Sequence, residues 1–271
     1  MHALSDNSGP GVVRQYGIFN TKEPYLMFID TGDLLISNEL QETVLQEISN
    51  NPEVLLFSWP HKFESDGTIS TEVHNRMHGR VYKRKFIEDY AISFCPAGSY
   101  ANEDIGFNRQ CKLVLKQLDN NDKYYKIYQE PLILWTVSEN SLTKKNKGEF
   151  SFKKQNIGLA ENEIYLFRVA KYNKIDERLL IDEANEIIAA MHYNLLQTSE
   201  VRPEFLNESW FGAKLFYDNV FKEYEKNNAM SLQVCFSRNI KRIRKNKLEG
   251  KWKKNLPVNI RRFFSDLKNY E

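Results

Sequence analysis

The chain has 271 residues, of which 41% are hydrophobic, 13% aromatic and 27% charged, and its formal net charge is +2. This composition is typical of a soluble globular protein with one large or two modest domains. No apolar run approaches the roughly 18 residues that a membrane-spanning helix needs, and the first residues lack the pattern of a signal peptide. We therefore expect a cytoplasmic protein without a transmembrane helix.

Three cysteines occur in the chain, at Cys95, Cys111 and Cys235. Their number is odd, their spacing is wide and no CxxC pair is present, which is typical of reduced thiols. The cysteine pattern therefore argues against a disulfide framework and against a structural zinc site.

The positive charge is concentrated at the carboxyl end of the chain. From Arg238 onward there are twelve Lys and Arg against three acids, a net charge of +9, so residues 1–237 carry about −7. Such an asymmetry predicts a basic tail that is electrostatically distinct from an acidic body.

The first part of the chain alternates helix and strand signals. Gly9-Pro10-Gly11 opens a short predicted helix, because proline is tolerated in a first turn. The apolar run PYLMFID then predicts a buried strand, NELQETVLQEISN an amphipathic helix, and VLLFSWP a second buried strand. Strand, helix and strand with short joins predict an α/β fold with a mostly parallel sheet.

Two pairs of acids stand at predicted element ends. Ligands of open α/β sheets bind at the carboxyl ends of the strands, so Asp30 and Asp33, just after the first strand, lie at the mouth of a predicted site. Glu103 and Asp104 begin a later predicted helix, where the helix dipole favours carboxylates even without a function. Neither pair identifies a site by itself.

The remaining segments give a coarser prediction. Gly79 and the basic, aromatic run after it predict a strand that passes into a helix, and residues 124–143 predict one more strand. Residues 143–156 have the composition of a loop or linker, and 147–165 and 198–210 give no signal beyond loop. Beyond residue 160 the apolar period is otherwise helical.

Several segments, taken in order, resemble the family 2 glycosyltransferases of GT-A fold, in the form found in bacteriophages and bacteria. They are NSGPGVVRQYGIFN, YLMFIDTGDLL, MHGRVYKRKFIEDYAISF, NEDIGFN and LILWTVSENSLT. The resemblance covers roughly residues 5–146. It implies a GT-A-like mixed sheet with flanking helices in a domain over 1–150, followed by a mainly helical region over 151–271.

The resemblance implies an activity as well. The chain would be a glycosyltransferase of hexosyltransferase type that moves a sugar from a nucleotide-sugar donor, such as a UDP-sugar, to a hydroxyl acceptor with inversion. The acceptor would be a modified base of phage DNA or an envelope glycan, and the location the cytoplasm, that of the host if the chain is phage-encoded.

Each candidate residue takes a role from the resemblance. Asp30 and Asp33 would hold a divalent metal, Mn²⁺ or Mg²⁺, and the donor. Asp104, beside Glu103, would be the general base. The other candidates would bind the donor (Arg14, His78, Gly79) or line the acceptor side (Trp135). The chemistry is coherent, because a hard cation neutralises a diphosphate leaving group and a carboxylate accepts the proton of an attacking hydroxyl.

Two departures from the family pattern leave an alternative open. Gly32 stands where the family carries an acid, and only about two dozen residues precede the motif strand, so we expect the chain to lack the usual nucleotide-binding strands. A second chain would then supply the missing strands and cover the open sheet edge. The alternative function is an inactive or split remnant that binds nucleic acid or protein.

The basic tail adds its own alternatives. Residues 238–264 interleave Lys and Arg with apolar side chains (Ile243, Leu248, Trp252, Ile260, Phe263 and Phe264). This pattern suits nucleic acid, on whose bases aromatic side chains stack, and it suits an anionic membrane surface. A helical face packed against the acidic body explains it equally well.

Overall fold

A computed structural model of the chain describes residues 8–36, 38–50, 56–63, 66–69, 77–97, 101–118, 125–136, 145–225, 229–242 and 256–270. No helix within these ranges is long and apolar enough to cross a membrane.

The described residues form ten helices and seven short strands. The helices are α1 (Gly9–Asn20), α2 (Asn38–Asn50), α3 (Arg84–Asp89), α4 (Glu103–Gln117), α5 (Lys145–Tyr172), α6 (Glu177–Val201), α7 (Leu206–Phe216), α8 (Lys222–Tyr224), α9 (Ala229–Arg242) and α10 (Leu256–Lys268). The strands are β1 (Tyr25–Met27), β2 (Leu34–Leu35), β3 (Leu56–Ser58), β4 (His61–Phe63), β5 (Arg80–Lys83), β6 (Tyr125–Ile127) and β7 (Ile133–Trp135). A 3₁₀ turn (Pro203–Phe205) precedes α7, and a π-helical turn (Tyr217–Phe221) joins it to α8.

The strands form two mixed sheets. The larger has the order β1-β5-β3-β6 and the smaller the order β2-β7-β4. In the larger sheet β5 is antiparallel to both β1 and β3, while β3 and β6 are parallel. The predicted mixed α/β class is confirmed. The expectation of a mostly parallel sheet is wrong, because β5 inserts between β1 and β3, which run in the same direction without touching.

Two further expectations are corrected. The segment read as one strand contains two, β6 and β7, which lie in different sheets on either side of Pro131. The lysine-rich stretch 143–156, read as a loop or linker, is helical from Lys145 onward, and α5 continues through the unassigned stretch 147–165. The polar composition of this stretch favoured a loop prediction. Lysine and glutamine are, however, also good helix formers. The stretch 198–210 contains the end of α6 and the start of α7.

One apolar core runs from the larger sheet into the helical half. Tyr82 of β5 and Phe107 of α4 belong to the same buried cluster as Leu166 of α5, Ile188 of α6 and Phe216 of α7. The helix α5 begins at Lys145 and crosses the predicted boundary at residue 150. The two-domain division stays a prediction, but the helices and the sheet share a core.

A buried ionic cluster joins α4 to α5 and α6. The Arg109 guanidinium is 3.1 Å from Glu163 Oε1 and 3.3 Å from Glu183 Oε1. Burial raises the pKa of Glu163 to about 7, although the nearby Arg109 partly offsets the effect. Breaking such a buried cluster leaves an uncompensated charge, so it fixes the mutual position of these three helices.

The described part of the basic tail packs on the body. Ile260, Phe263 and Phe264 of α10 are all buried, so these side chains are not exposed to stack on bases or to enter a membrane surface. Arg238 pairs with Glu186 at 2.7 Å. For this part the structure favours the helical face packed on an acidic body. Ile243, Leu248 and Trp252 lie outside the described residues.

We predict that Phe263→Ala lowers the free energy of unfolding by about 3–5 kcal/mol, the cost of removing a buried phenylalanine ring. The Phe263 ring packs 4.8 Å from the His192 ring and 5.1 Å from the Phe264 ring. Urea unfolding measures the loss. The exposed neighbour Arg261 provides the control, since Arg261→Ala should change the value by less than about 0.5 kcal/mol. A small loss for Phe263→Ala would contradict the packing of α10.

Candidate active site

Asp30 and Asp33 lie in a tight turn directly after β1. The Asp33 amide donates to the Asp30 carbonyl at 3.0 Å, and Gly32 between them has a φ of +99°. Residues with a side chain rarely adopt this φ, whereas glycine does so without strain. The backbone of the turn therefore favours glycine at the position where the family carries an acid.

Thr136, just after β7, fixes this turn from the neighbouring sheet. Its amide donates to Asp33 Oδ1 at 3.1 Å, and its hydroxyl donates to the Gly32 carbonyl at 2.6 Å. The second carboxylate oxygen, Asp33 Oδ2, takes no part in these two hydrogen bonds.

His78 lies between the two carboxylates. Its Nε2 is 3.5 Å from Asp30 Oδ2 and 3.5 Å from Asp33 Oδ2. The next residue, Gly79, has a φ of +67°, and a Cβ there would lie 2.4 Å from the Trp59 carbonyl oxygen. The close approach between the residue before β5 and the residue after β3 therefore requires glycine at position 79. This contact holds the neighbouring His78 close to the two acids.

Asp30, Asp33 and His78 together form a group that would hold a metal ion. One ligand atom from each lies within 4.8 Å of the others. The Asp33 side chain is only 4% exposed, and its Oδ2 accepts no hydrogen bond from the described residues. A buried carboxylate oxygen that accepts no hydrogen bond is costly, and a bound cation would remove that cost, so the residues fit a divalent metal.

The two acids of this group differ in their electrostatics. The hydrogen bond from His78, together with the Arg14 guanidinium, holds the pKa of Asp30 well below its usual range. Burial raises the pKa of Asp33, while the Thr136 amide opposes the increase. A cation would favour the ionised form of both.

Arg14 of α1 connects this group to the second pair of acids. Its two terminal nitrogens donate in different directions, to Asp30 Oδ1 at 2.7 Å and to Glu103 Oε1 at 2.6 Å. The Arg14 and Glu103 side chains are 11% and 10% exposed. Residues 89 positions apart in the chain are thus joined by a charge-assisted hydrogen bond, the strong kind.

Glu103 and Asp104 occupy the first turn of α4. Burial and the neighbouring Asp104 charge raise the pKa of Glu103, and Arg14 partly offsets the increase. Asp104 is half-buried, and its Oδ1 accepts from the Ile105 amide at 2.8 Å. The Asp104 carbonyl accepts from Asn108, which in turn accepts from the Tyr82 hydroxyl of β5 at 2.7 Å.

An aromatic group borders the metal-ligating side chains. The Trp135 ring, at the end of β7, stacks on the His78 ring with centroids 4.9 Å apart. His61 of β4 meets Trp135 edge-on at 5.2 Å. Trp135 therefore lies beside the predicted donor site, at the end of β7 in the smaller sheet.

The structure brings the predicted site residues together. Arg14, Asp30, Asp33, His78 and Glu103 form one set of charged contacts, with Asp104 next in the chain. Trp135 stacks on His78, and Gly79 is the residue that follows His78 in the chain. Sequence reasoning missed His61 and Thr136. Thr136 directly follows Trp135 at a strand end, which could have indicated it, whereas no sequence signal marks His61.

Solved structures of TarS from S. aureus are similar in fold to this chain. TarS 1–349 in complex with UDP-GlcNAc has a TM-score of 0.56, covering 86% of this chain and 70% of that chain at 12% identity. A second TarS 1–349 structure has a TM-score of 0.55, covering 87% of this chain and 70% of that one at 13% identity. No family model and no curated protein matches the sequence. The similarity establishes a GT-A-like fold.

We predict that Arg14→Gln raises the pKa of the Glu103 carboxyl further, because the cation that offsets its burial is lost. An NMR titration of the ¹³C-labelled glutamate carboxyls measures this pKa. The matched control is Arg84→Gln, since the Arg84 guanidinium instead binds the Ile18 carbonyl and the Thr21 hydroxyl at the end of α1. An unchanged pKa of Glu103 in Arg14→Gln would contradict the bridge that Arg14 forms between Asp30 and Glu103.

Proposed function

We propose that the chain is a glycosyltransferase that moves a sugar from a nucleotide-sugar donor to a hydroxyl acceptor. The observation that supports it best is the Arg14 bridge, which places a metal-competent group of side chains next to a second acidic pair. The TarS structure with a similar fold holds UDP-GlcNAc, so we take a UDP-sugar as the donor class. A hexose is the proposed sugar, and the cytoplasm the proposed location.

Asp30, Asp33 and His78 are the proposed metal ligands. They offer two carboxylate oxygens and one imidazole nitrogen, a mixed set that suits Mn²⁺ better than the strictly oxygen-preferring Mg²⁺. A divalent cation bound there would neutralise the charge that develops on the diphosphate leaving group. Arg14 would keep Asp30 ionised and correctly turned, and would add positive charge on the donor side.

Asp104 is the proposed general base. Glu103 is proposed to hold the first turn of α4 in place through its contact with Arg14. Glu103 Oε1 is engaged by Arg14, which suits a residue that holds position rather than one that takes a proton. Asp104 lies in the first turn of α4, where the helix dipole favours the ionised carboxylate that a base must be. An ionised Asp104 would accept the proton of the attacking hydroxyl as the new bond to the sugar forms.

Trp135 is proposed to line the acceptor side. Its ring stacks on the His78 ring with centroids 4.9 Å apart, and it would offer an aromatic surface to the apolar face of a sugar ring beside the proposed metal ligands. Gly79 would contribute indirectly, by allowing the backbone approach that orients His78.

The acceptor is proposed to be a glycan rather than a DNA base. Three of the apolar tail residues that would contact nucleic acid are buried in α10, which removes part of the support for a DNA-binding tail. The same observation weakens the alternative function of a binding module that works through the tail. A hydroxylated DNA base stays the second acceptor class, and DNA binding that falls steeply with salt would favour it.

Titration calorimetry with UDP-GlcNAc and Mn²⁺ tests the proposed donor site. Asp33→Asn should weaken binding by at least about 10-fold, because it removes a metal ligand. Asp89→Asn, at an exposed acid that pairs with Lys85 on α3, is the matched control and should bind normally. Binding that is unaffected by Asp33→Asn would refute the proposal that Asp33 is a metal ligand.

A turnover assay on the same protein tests the proposed role of Asp104 as general base. UDP release from UDP-GlcNAc, with water as the acceptor, should fall by about 10²–10⁴-fold in Asp104→Asn, while donor affinity stays near that of the unaltered chain. Equal turnover by the two proteins would refute the role given to Asp104.

A further inference from the structure

The turn that leads into Glu103 and Asp104 is held by a helix from the other half of the chain. Asn102, the residue before α4, has a φ of +59° and a ψ of 18°, a left-handed conformation that asparagine adopts more readily than most residues other than glycine. Its backbone carbonyl accepts from the Gly106 amide at 3.0 Å, the first hydrogen bond of α4.

Two asparagine side chains bind this turn to α5. Asn162, which is 1% exposed, donates from Nδ2 to the Ala101 carbonyl at 2.9 Å and to the Gly158 carbonyl at 2.8 Å. In the opposite direction Asn102 Nδ2 donates to the Gln155 carbonyl at 2.9 Å. The turn before the acidic pair is therefore bound to α5 by a backbone acceptor, the Ala101 carbonyl, and by a side-chain donor, Asn102 Nδ2.

Two glycines allow the elements to come this close. A Cβ at Gly158 of α5 would lie 2.6 Å from the Ala101 carbonyl oxygen, and a Cβ at Gly106 of α4 would lie 2.7 Å from Asn162 Cβ. Atoms do not approach so closely without displacement, so both positions favour the absence of a side chain. The hydrogen bonds of Asn162 thus depend on a contact that is built into both helices.

One turn further along, α4 is tied to the same helix. The Arg109–Glu163 ion pair lies immediately beyond Asn162 on α5. The start and the middle of α4 are therefore both fixed against α5, whereas Arg14 of α1 contacts Glu103.

We propose that Asn162 is a positioning residue, which sets the place of Glu103 and Asp104 relative to Asp30, Asp33 and His78 by holding the Ala101 carbonyl. The inference rests on the proposed function and assigns a task within it to the helical half of the chain. Loss of the Asn162 donor would leave the part-buried Ala101 carbonyl without this hydrogen bond and would let the first turn of α4 move. A displacement of about 1 Å is enough to slow a reaction by roughly 100-fold.

A matched pair of variants tests the inference. Asn156 is a second asparagine of α5, also 1% exposed, but its Nδ2 donates to the Met191 and Ser209 carbonyls, away from the site. Asn162→Ala and Asn156→Ala should both lower the midpoint of thermal unfolding. Only Asn162→Ala should make amide hydrogen exchange at Ile105–Phe107 faster, by about 10-fold.

Turnover provides the second measurement. UDP release from UDP-GlcNAc should fall by about 10- to 100-fold in kcat for Asn162→Ala, with the KM for the donor within about 2-fold of the unaltered chain. Asn156→Ala should keep its kcat. If Asn162→Ala does not fold, Asn102→Gly replaces it, because glycine accepts the left-handed backbone and loses only the hydrogen bond to Gln155.

The outcomes separate this inference from the proposed function. Exchange at Ile105–Phe107 does not depend on turnover, and an unchanged rate, or an equal change in Asn156→Ala, overturns the inference. Faster exchange with an unchanged kcat in an active chain overturns it as well. An unaltered chain that neither binds nor turns over UDP-GlcNAc overturns the proposed function instead.

Discussion

The double ion pair of Arg14 is the interaction on which the rest of the site depends. One guanidinium holds Asp30, in the turn after β1, and Glu103, at the start of α4, within 2.7 Å of its nitrogens. Arginine is suited to this task, since its planar group offers several donors in fixed directions, whereas lysine offers a single point charge. Because Glu103 is nearly buried, loss of Arg14 would leave a charge without compensation.

The fold is arranged around this constraint. The sheet presents Asp30, Asp33 and His78 on one side of Arg14, and α4 presents Glu103 and Asp104 on the other. The helices α5 and α6 hold α4 through the Arg109 cluster and through Asn162. The helical half therefore holds the helix that carries Glu103 and Asp104. This gives the continuous core a functional consequence.

The sequence allowed much of the site to be predicted but less of the fold. Asp30 and Asp33 follow an apolar strand, and Glu103 and Asp104 begin a helix, so the local pattern placed them at the element ends where the structure has them, while their roles stay predictions. The insertion of β5 between β1 and β3 could not be predicted, because strand order depends on contacts between distant segments. The helical start of α5 was hidden by its lysines. The place of His78 over both acids depends on the Gly79 contact with Trp59, which no local pattern reveals.

A crystal structure of the chain grown with UDP-GlcNAc and Mn²⁺ tests the central claim most directly, because manganese can be located by its anomalous scattering. The account predicts a manganese peak bounded by Asp30 Oδ2, Asp33 Oδ2 and His78 Nε2, with the diphosphate beside it and Arg14 still between Asp30 and Glu103. A nucleotide-sugar bound elsewhere, or Arg14 turned away from both acids in the complex, would contradict it.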